Sequence, residues 1–438
     1  MPRCAANGGK LRLSRSHNLR RYVWLPVALF LLLRLAGAML GGASSASVRL
    51  APIPPDSHWV ATWGASPQAA TTGNLNGIGF RDETIREIVL TSVGGYRVRV
   101  RLTNAFGSSP LTVGRAAVAV QSQRAGTVAG TTTSLYFDGR RSVVIPPGAE
   151  ATSDPVPLAV GPATHLAVSL YVPGPTGPAT QHDDAQQVNY VATGPHVTNG
   201  AGPFKARTWS WYFLSGVDVL ASRRTPGAVV ALGDSITDGV GSPVNGDATR
   251  PNFLARRLDA RTGSTMAVVD EGIGGNRLLN AALCCGVSAL ARFGRDVRGQ
   301  PGVRDVIVLE GINDIGYSQS HGLLTAPHTD VSALNIVEGY ERLVTLAHSA
   351  GLKIFGATLT PFQGARYWTP AGEAKREAIN HWIRTAGAFD GVIDFAAAVA
   401  DPADPERLKL AYDSGDHLHP NAAGYRAMAA AIDLRALS

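Results

Sequence analysis

The sequence predicts an antiparallel β-sandwich or jelly roll followed by an α/β domain, in which helices cover both faces of a parallel sheet. Three observations support this prediction. Residues 59–220 carry strand-like alternation without a helical period. Apolar runs without alternation begin after Pro226, and amphipathic helical stretches separate those runs. With 438 residues, the chain is also long enough for two domains.

Residues 1–46 have the layout of a secretory signal peptide. This leader contains seven basic residues and no acidic one, and an apolar run at 22–33 precedes small residues at 41–46. Arg34 interrupts an apolar stretch that is otherwise almost long enough to span a membrane. We therefore expect cleavage after Ala46 and secretion, with an uncleaved anchor on the outer face of the membrane as the alternative.

The net charge of +7 originates in this leader. Without it, the chain has 33 basic and 33 acidic residues, so we expect no nucleic-acid partner and membrane contact only through the leader. A linker rich in Pro and Ser is predicted over 47–57, and the protein is expected to be a monomer.

The β-sandwich is predicted over residues 58–221. In its clearest strand, Arg97, Arg99 and Arg101 alternate with apolar residues, and we interpret the arginines as the solvated face. Turn residues separate the other predicted strands, which cover 84–90, 111–120, 142–145, 165–172 and 188–192.

The α/β domain is predicted over residues 222–438. Its buried strands are expected at 228–232, 267–269, 306–309, 354–359 and 392–395, and its clearest helices at 331–350, 370–385 and 421–434. Ligands of a parallel α/β sheet bind at the carboxyl ends of its strands. Polar residues that directly follow these strands are therefore candidates for a functional site.

Four segments supply the residues needed for acyl transfer: Gly233-Asp234-Ser235, Gly274-Gly275-Asn276, Gly311-Ile312-Asn313-Asp314 and Asp416-His417-Leu418-His419. The first three each follow a predicted strand. Ser235 is the candidate nucleophile, His419 its base and Asp416 the carboxylate that orients the base. The backbone N–H groups of Ser235 and Gly275 and the side-chain amide of Asn313 are candidate oxyanion donors.

Each segment alone has a simpler interpretation, such as a helix cap at Ser235. His417 and His419 suggest a metal pair, but the sequence has no further ligand cluster, and we predict no metal site. We interpret the adjacent Cys284 and Cys285 as small apolar loop residues, because neighbouring cysteines can form a disulfide only through a strained ring.

Taken together, the segments resemble the SGNH hydrolases, the GDSL-type esterases and lipases, over about residues 225–438. They read Gly-Asp-Ser-Ile-Thr-Asp-Gly, Gly-Ile-Gly-Gly-Asn, Gly-Ile-Asn-Asp and Asp-His-Leu-His-Pro. The resemblance implies a flavodoxin-like three-layer fold and no metal or organic cofactor. It also implies Ser235 as nucleophile, Gly275 and Asn313 as oxyanion donors, His419 as base and Asp416 as its partner. The front half is similar to the β-rich region that precedes the catalytic domain in a secreted bacterial subgroup.

The substrate prediction depends on the loop 360–368, which leaves the fourth strand of the parallel sheet. Its Phe362, Tyr367 and Trp368 can stack on a sugar, line an acyl pocket or pack beneath the loop. We predict a secreted serine esterase that removes a short acyl group, such as acetyl, from a small-molecule or polysaccharide ester. The alternatives are a lipase or lysophospholipase, an acyltransferase, and a glycan-binding protein with a vestigial catalytic domain.

Overall fold

The front half of the chain forms antiparallel sheets. The computed structural model describes residues 53–71, 75–261 and 263–438; the predicted leader and residues 47–52 of the predicted linker lie outside these ranges. In chain order the elements are β1 (His58–Gly64), α1 (Leu75–Ile78), β2 (Glu83–Leu90), β3 (Val98–Thr103), β4 (Leu111–Val113), β5 (Arg115–Val120), β6 (Thr133–Leu135), β7 (Val143–Ile145), β8 (Glu150–Thr152), β9 (His165–Val172), β10 (Gln181–His182), β11 (Asn189–Thr193), β12 (Ala206–Thr208), β13 (Trp211–Tyr212) and β14 (Leu214–Ala221).

Two sheets dominate this half, with strand orders β1-β14-β3-β8 and β12-β11-β2-β9-β5-β6. Apolar side chains from both sheets, such as Val98, Val100 and Val168, lie in one hydrophobic core. The predicted antiparallel architecture is therefore confirmed. The predicted strand at 111–120 is two strands, because at Gly114 the chain changes from pairing with β7 to pairing with β9.

Arg97 and Arg99 are partly exposed, but Arg101 is buried, so its interpretation as a solvated residue is wrong. The Arg101 side chain is buried, and Arg99 and Arg101 donate to the two carboxylate oxygens of Asp218 on β14, at 2.8 and 3.1 Å. Arg101 also donates to the side chain of Gln300, which lies just before the third strand of the parallel sheet, at 2.5 Å. Arg101 is covered because the second half of the chain packs against it.

The second half forms a five-stranded parallel sheet in the order β16-β15-β17-β18-β19. The order is 2-1-3-4-5 in chain sequence, the doubly wound order of flavodoxin-like folds, and it confirms the predicted fold class. The elements are β15 (Ala228–Gly233), α2 (Ser235–Asp238), α3 (Arg250–Asp259), β16 (Ala267–Gly272), α4 (Ala289–Phe293), β17 (Val303–Leu309), α5 (Ile312–Gly316), α6 (Ala333–Ser349), β18 (Lys353–Ala357), α7 (Pro370–Thr385), β19 (Gly391–Ile393), α8 (Phe395–Val399), β20 (Ala400–Asp401), β21 (Asp404–Leu408) and α9 (Ala422–Ala430).

Local signals explain where the long helices begin. Ser332 caps α6 in a reciprocal pair with Asn335, and Thr369 caps α7 directly before Pro370. All six residues of β15 are buried, as expected for a strand with helices on both faces. Among the described residues, no helix is long and apolar enough to cross a membrane.

The two halves share buried polar contacts as well as one apolar core. The Ser66 hydroxyl donates to the carboxylate of Glu271 on β16 at 2.5 Å, and the Val268 N–H donates to the Ser92 hydroxyl at 3.0 Å. The described residues belong to one compact unit. The predicted domain boundary at 221/222 falls between β14 and β15, and the division into two domains stays a prediction.

We expect Asp218→Ala to lower the free energy of unfolding by about 3–5 kcal/mol, because Arg101 would stay buried without its carboxylate partner. Urea unfolding of the purified protein would measure the loss. Asp218→Asn, which keeps an acceptor of the same size, should lose less. Equal stability of Asp218→Ala and the wild type would contradict a buried ion pair at this position.

Candidate active site

Ser235 lies at the carboxyl end of β15, at the first residue of α2. The Asp234 carboxylate caps this helix by accepting from the N–H of Ile236 at 2.9 Å. Gly233 has no room for a side chain, because a Cβ there would collide with Thr237 and with the carbonyl of Leu309 on β17. The strand therefore turns directly into α2 and holds the Ser235 side chain at the sheet edge.

Ser235, His419 and Asp416 form one hydrogen-bonded chain. The Ser235 hydroxyl lies 2.8 Å from His419 Nε2, and His419 Nδ1 lies 2.5 Å from a carboxylate oxygen of Asp416. The other carboxylate oxygen accepts from the N–H groups of Leu418 and His419 at 3.0 and 2.8 Å. Burial acts to raise the pKa of Asp416, but the hydrogen bonds from His419 outweigh it and hold the pKa well below its usual range. An ionised Asp416 keeps the proton on Nδ1, so Nε2 can accept from Ser235.

His417 is separate from this chain. Its Nδ1 lies 2.6 Å from the carboxylate of Asp413, and its side chain is half exposed. The two histidines thus have different carboxylate partners. In the described ranges of the chain, no group of three or more His, Cys, Asp or Glu side chains is arranged to hold a metal ion.

Gly275 occupies the loop after β16 with φ +71°, a conformation that favours glycine. A Cβ there would collide with the Tyr317 hydroxyl and lie 2.6 Å from Cys285 Sγ. The neighbouring Asn276 side chain donates to the carbonyls of Cys285 and Val287 at 2.7 and 2.8 Å. These contacts hold the loop close to the end of the strand.

Asn313 follows β17 on α5, and both ends of its amide have partners. Its Nδ2 donates to the Asn276 carbonyl at 2.9 Å, and its Oδ1 accepts from the Tyr367 hydroxyl at 3.1 Å. Burial raises the pKa of Tyr367 well above its ordinary value, so the hydroxyl remains a donor. Tyr367 therefore orients Asn313, a role that the sequence did not reveal.

The three loop aromatics do not share one function. Phe362 is fully buried, with its ring centroid 6.1 Å from that of Tyr367, so for this residue the predicted substrate contact is wrong and the alternative, packing beneath the loop, is observed. The loop folds over it and covers an apolar side chain that would otherwise meet water. Trp368 is partly buried and also packs against the hydrophobic core.

Cys284 and Cys285 are joined by a disulfide, so their interpretation as unlinked apolar residues is wrong. A tight turn brings them together: Ala282 and Gly286 form an antiparallel bridge, and the Cys285 N–H donates to the Ala282 carbonyl at 3.1 Å. Since the Cys285 carbonyl accepts from Asn276, the disulfide lies beside the loop that carries Gly275.

Arg292, a buried arginine that no sequence pattern indicates, connects β15, the Gly275 loop and the segment after β1. Arg292 on α4 donates to the carbonyls of Gly233 and Glu271 at 2.8 and 2.7 Å, and to the side chains of Asn276 and Ser66 at 3.0 and 2.8 Å. Its side chain is fully buried. No local pattern in the sequence distinguishes Arg292 from the exposed arginines of other helices.

Residues 231–427, which include all four segments, match the sequence model of the GDSL-like lipase/acylhydrolase family. No curated protein matches the chain. Similar solved structures include a GDSL-like lipase from Bacteroides thetaiotaomicron VPI-5482, with 18% identity, a TM-score of 0.36, and coverage of 49% of this chain and 89% of that chain. A member of the lipolytic protein G-D-S-L family from Veillonella parvula DSM 2008 has 17% identity, a TM-score of 0.35, and coverage of 47% of this chain and 94% of that chain. A mutant of an acetyl-xylooligosaccharide esterase from Geobacillus Stearmophilus has 22% identity, a TM-score of 0.34, and coverage of 47% and 92%.

We expect Gly275→Ala to lower the free energy of unfolding by about 1–3 kcal/mol, because the new Cβ would be strained at positive φ and would displace Tyr317 and Cys285. Gly274→Ala is the matched control: the nearest contact of its Cβ is an Asp238 oxygen at 3.9 Å, and its φ is not positive. Its stability should stay within about 0.5 kcal/mol of the wild type. Thermal and urea unfolding would compare the stabilities of the two variants. Equal losses of stability in Gly275→Ala and Gly274→Ala would contradict a requirement for glycine at position 275.

Proposed function

Because residues 231–427 belong to the GDSL-like lipase/acylhydrolase family, a family of carboxylic ester hydrolases, we propose that Ser235, His419 and Asp416 are the catalytic triad of this protein. The observation that carries the proposal is the 2.8 Å contact between the Ser235 hydroxyl and His419 Nε2, together with the contact between His419 Nδ1 and Asp416. A serine hydroxyl becomes nucleophilic when a positioned base removes its proton.

In the proposed reaction, His419 takes the Ser235 proton while the serine oxygen bonds to the ester carbonyl carbon. The tetrahedral intermediate places a negative charge on the former carbonyl oxygen, which accepts from the N–H groups of Ser235 and Gly275 and from the Asn313 amide. His419 then gives its proton to the departing alcohol, leaving an acyl-enzyme. Water attacks this ester in the same way and releases the acid.

For the substrate, we propose a short acyl ester of a carbohydrate, encountered outside the cell. The leader composition of residues 1–46 supports export. Tyr317 and Cys285 pack tightly against Gly275, which supports a small acyl group. The half-exposed His417, two positions before His419, offers a polar contact to the alcohol part of the ester.

One observation favours a second candidate, hydrolysis of longer acyl esters. A cavity of about 450 Å³ has an apolar lining that includes Phe106, Leu283, Val287 and Leu324. The Val287 carbonyl accepts from Asn276, so this cavity borders the loop that carries Gly275. An apolar chain entering the cavity would gain roughly 0.8 kcal/mol per buried methylene.

We expect Ser235→Ala to lower ester hydrolysis at least about a thousandfold while leaving the fold intact, because no other hydroxyl contacts His419 Nε2 among the described residues. Hydrolysis of p-nitrophenyl acetate and circular dichroism would measure the two properties. Ser349→Ala, which alters an exposed hydroxyl on α6, should hydrolyse at the wild-type rate. Full activity of Ser235→Ala would reject the proposed nucleophile.

Acyl specificity is tested with p-nitrophenyl acetate, butyrate and octanoate. If short esters are the substrates, kcat/KM should be highest for acetate, and an acetylated xylo-oligosaccharide should also release acetate. Highest kcat/KM for octanoate would instead support the second candidate. Leu283→Asp changes an exposed residue of the apolar cavity and should leave acetate hydrolysis unchanged. If acyl chains occupy the cavity, the same variant would lower octanoate hydrolysis alone.

A further inference from the structure

A buried histidine of the antiparallel half contacts the helix that begins with Ser235. His182 on β10 is 3% exposed, and in the two-stranded sheet its backbone lies opposite that of Trp211 on β13. Its Nδ1 lies 3.0 Å from the Ser66 carbonyl, and its Nε2 lies 3.2 Å from a carboxylate oxygen of Asp238. A carbonyl and a carboxylate both accept, so both ring nitrogens donate and the ring is an imidazolium paired with Asp238.

Asp238 lies between this histidine and the loop after β16. It is the last residue of α2, three positions after Ser235, and is 7% exposed. Its second carboxylate oxygen is buried without a hydrogen-bond partner in the described part of the chain and points toward Gly274, 3.9 Å from the position of a Cβ there. The Asp238 backbone also fills the space that a side chain at Gly272 would need.

Helix α2 depends on such contacts because it contains four residues. A single helical turn has little intrinsic stability, so its position is set by the groups packed around it. A displacement of about 1 Å at a reacting group can lower the rate on the order of a hundredfold. The anchor at Asp238 therefore bears directly on where the Ser235 hydroxyl lies.

We propose that His182 is a positioning residue for ester hydrolysis: through the hydrogen bond that its Nε2 donates to Asp238, it holds α2 and the Gly274-Gly275 loop in the arrangement that turnover requires. This inference rests on the proposed function. It gives the antiparallel half an indirect part in turnover, through the position of α2, beyond any role in binding a polymer. Ser66, which accepts from His182, also contacts Arg292, so the same half supports the sheet edge at two points.

The chain offers a matched control in a second histidine–carboxylate pair. His165 on β9 lies 3.0 Å from the carboxylate of Asp247, in the loop before α3, and thus also joins the antiparallel half to the second half. This pair is partly exposed and is not attached to α2. Its loss should remove an interaction of the same kind without moving Ser235.

The test compares kcat and KM of four full-length variants on p-nitrophenyl acetate, with active enzyme counted by a fluorophosphonate that labels Ser235. We expect His182→Ala to lower kcat about ten- to a hundredfold with KM within about threefold. His182→Gln places an amide donor near the Nε2 position and should restore most of the rate. His182→Asn places an amide donor near the Nδ1 position, toward Ser66, and should not restore the rate. His165→Gln should match the wild type.

The outcomes separate the inference from the proposed function. A wild-type enzyme that neither hydrolyses esters nor reacts with the fluorophosphonate would overturn the proposed function and the inference with it. An active wild type with undiminished kcat in His182→Ala would overturn the inference alone. Equal restoration by His182→Asn and His182→Gln would also overturn it, since support of the antiparallel half through Ser66 would then suffice.

A second readout uses pH. Burial acts to lower the pKa of His182, but the Asp238 charge and the two hydrogen bonds outweigh it and raise the pKa to about 9. The pair's stabilisation is complete below about pH 6.5, the ordinary histidine value, and is lost as the pH rises to about 9. Asp184 and Asp270 also face this cluster, and the His182 charge acts to lower the pKa of both carboxyl groups. Their attraction to His182 adds to the difference between the two proteins while His182 is charged and ends, like the Asp238 pair, once His182 is neutral. The melting-temperature gap between wild type and His182→Gln should thus be wide at pH 6 to 7 and close near pH 10. A melting-temperature gap that does not change with pH would contradict a charged His182–Asp238 pair.

Discussion

The sheet edge that carries Ser235 and Gly275 depends on one buried guanidinium, that of Arg292. Parallel strands end in carbonyl groups that need donors, and the adjacent ends of β15 and β16 are buried. The guanidinium is a rigid fork with five N–H donors, and here it reaches the carbonyls of Gly233 and Glu271 and the side chains of Asn276 and Ser66. One residue thereby fixes the strand before Ser235, the loop with Gly275, and the segment after β1.

The periodicity of the sequence was sufficient to predict the antiparallel sheets, the parallel sheet and most strands, because those patterns arise from which faces are buried. It was also sufficient to predict that the segments of Ser235, Gly275 and Asn313 meet at the sheet edge, since carboxyl ends of parallel strands lie side by side. His419, 184 positions after Ser235, contacts it from a loop before α9 that follows no strand of the parallel sheet, so strand placement did not predict that contact. The catalytic roles of these residues remain proposals that rest on this geometry.

What the sequence did not reveal is how polar groups are shared between distant segments. Arg101 reads locally as a solvated side chain, and its burial depends on Gln300, 199 residues away. Tyr367 looks like a ligand contact until its hydroxyl is seen to bind Asn313. His182 belongs to a two-residue strand without any distinctive pattern. Such contacts are set by tertiary packing, and no local periodicity records them.

The shared core of the two halves has a consequence for how such chains can be recombined. Val60 and Val268, from β1 and β16, lie in one apolar cluster, and Ser66 contacts both Arg292 and Glu271. A crossover between residues 221 and 228 would join a catalytic half to a partner that lacks these matching groups. The two halves must therefore be exchanged together in a chimera, so that the matching groups on both sides of their interface come from the same protein.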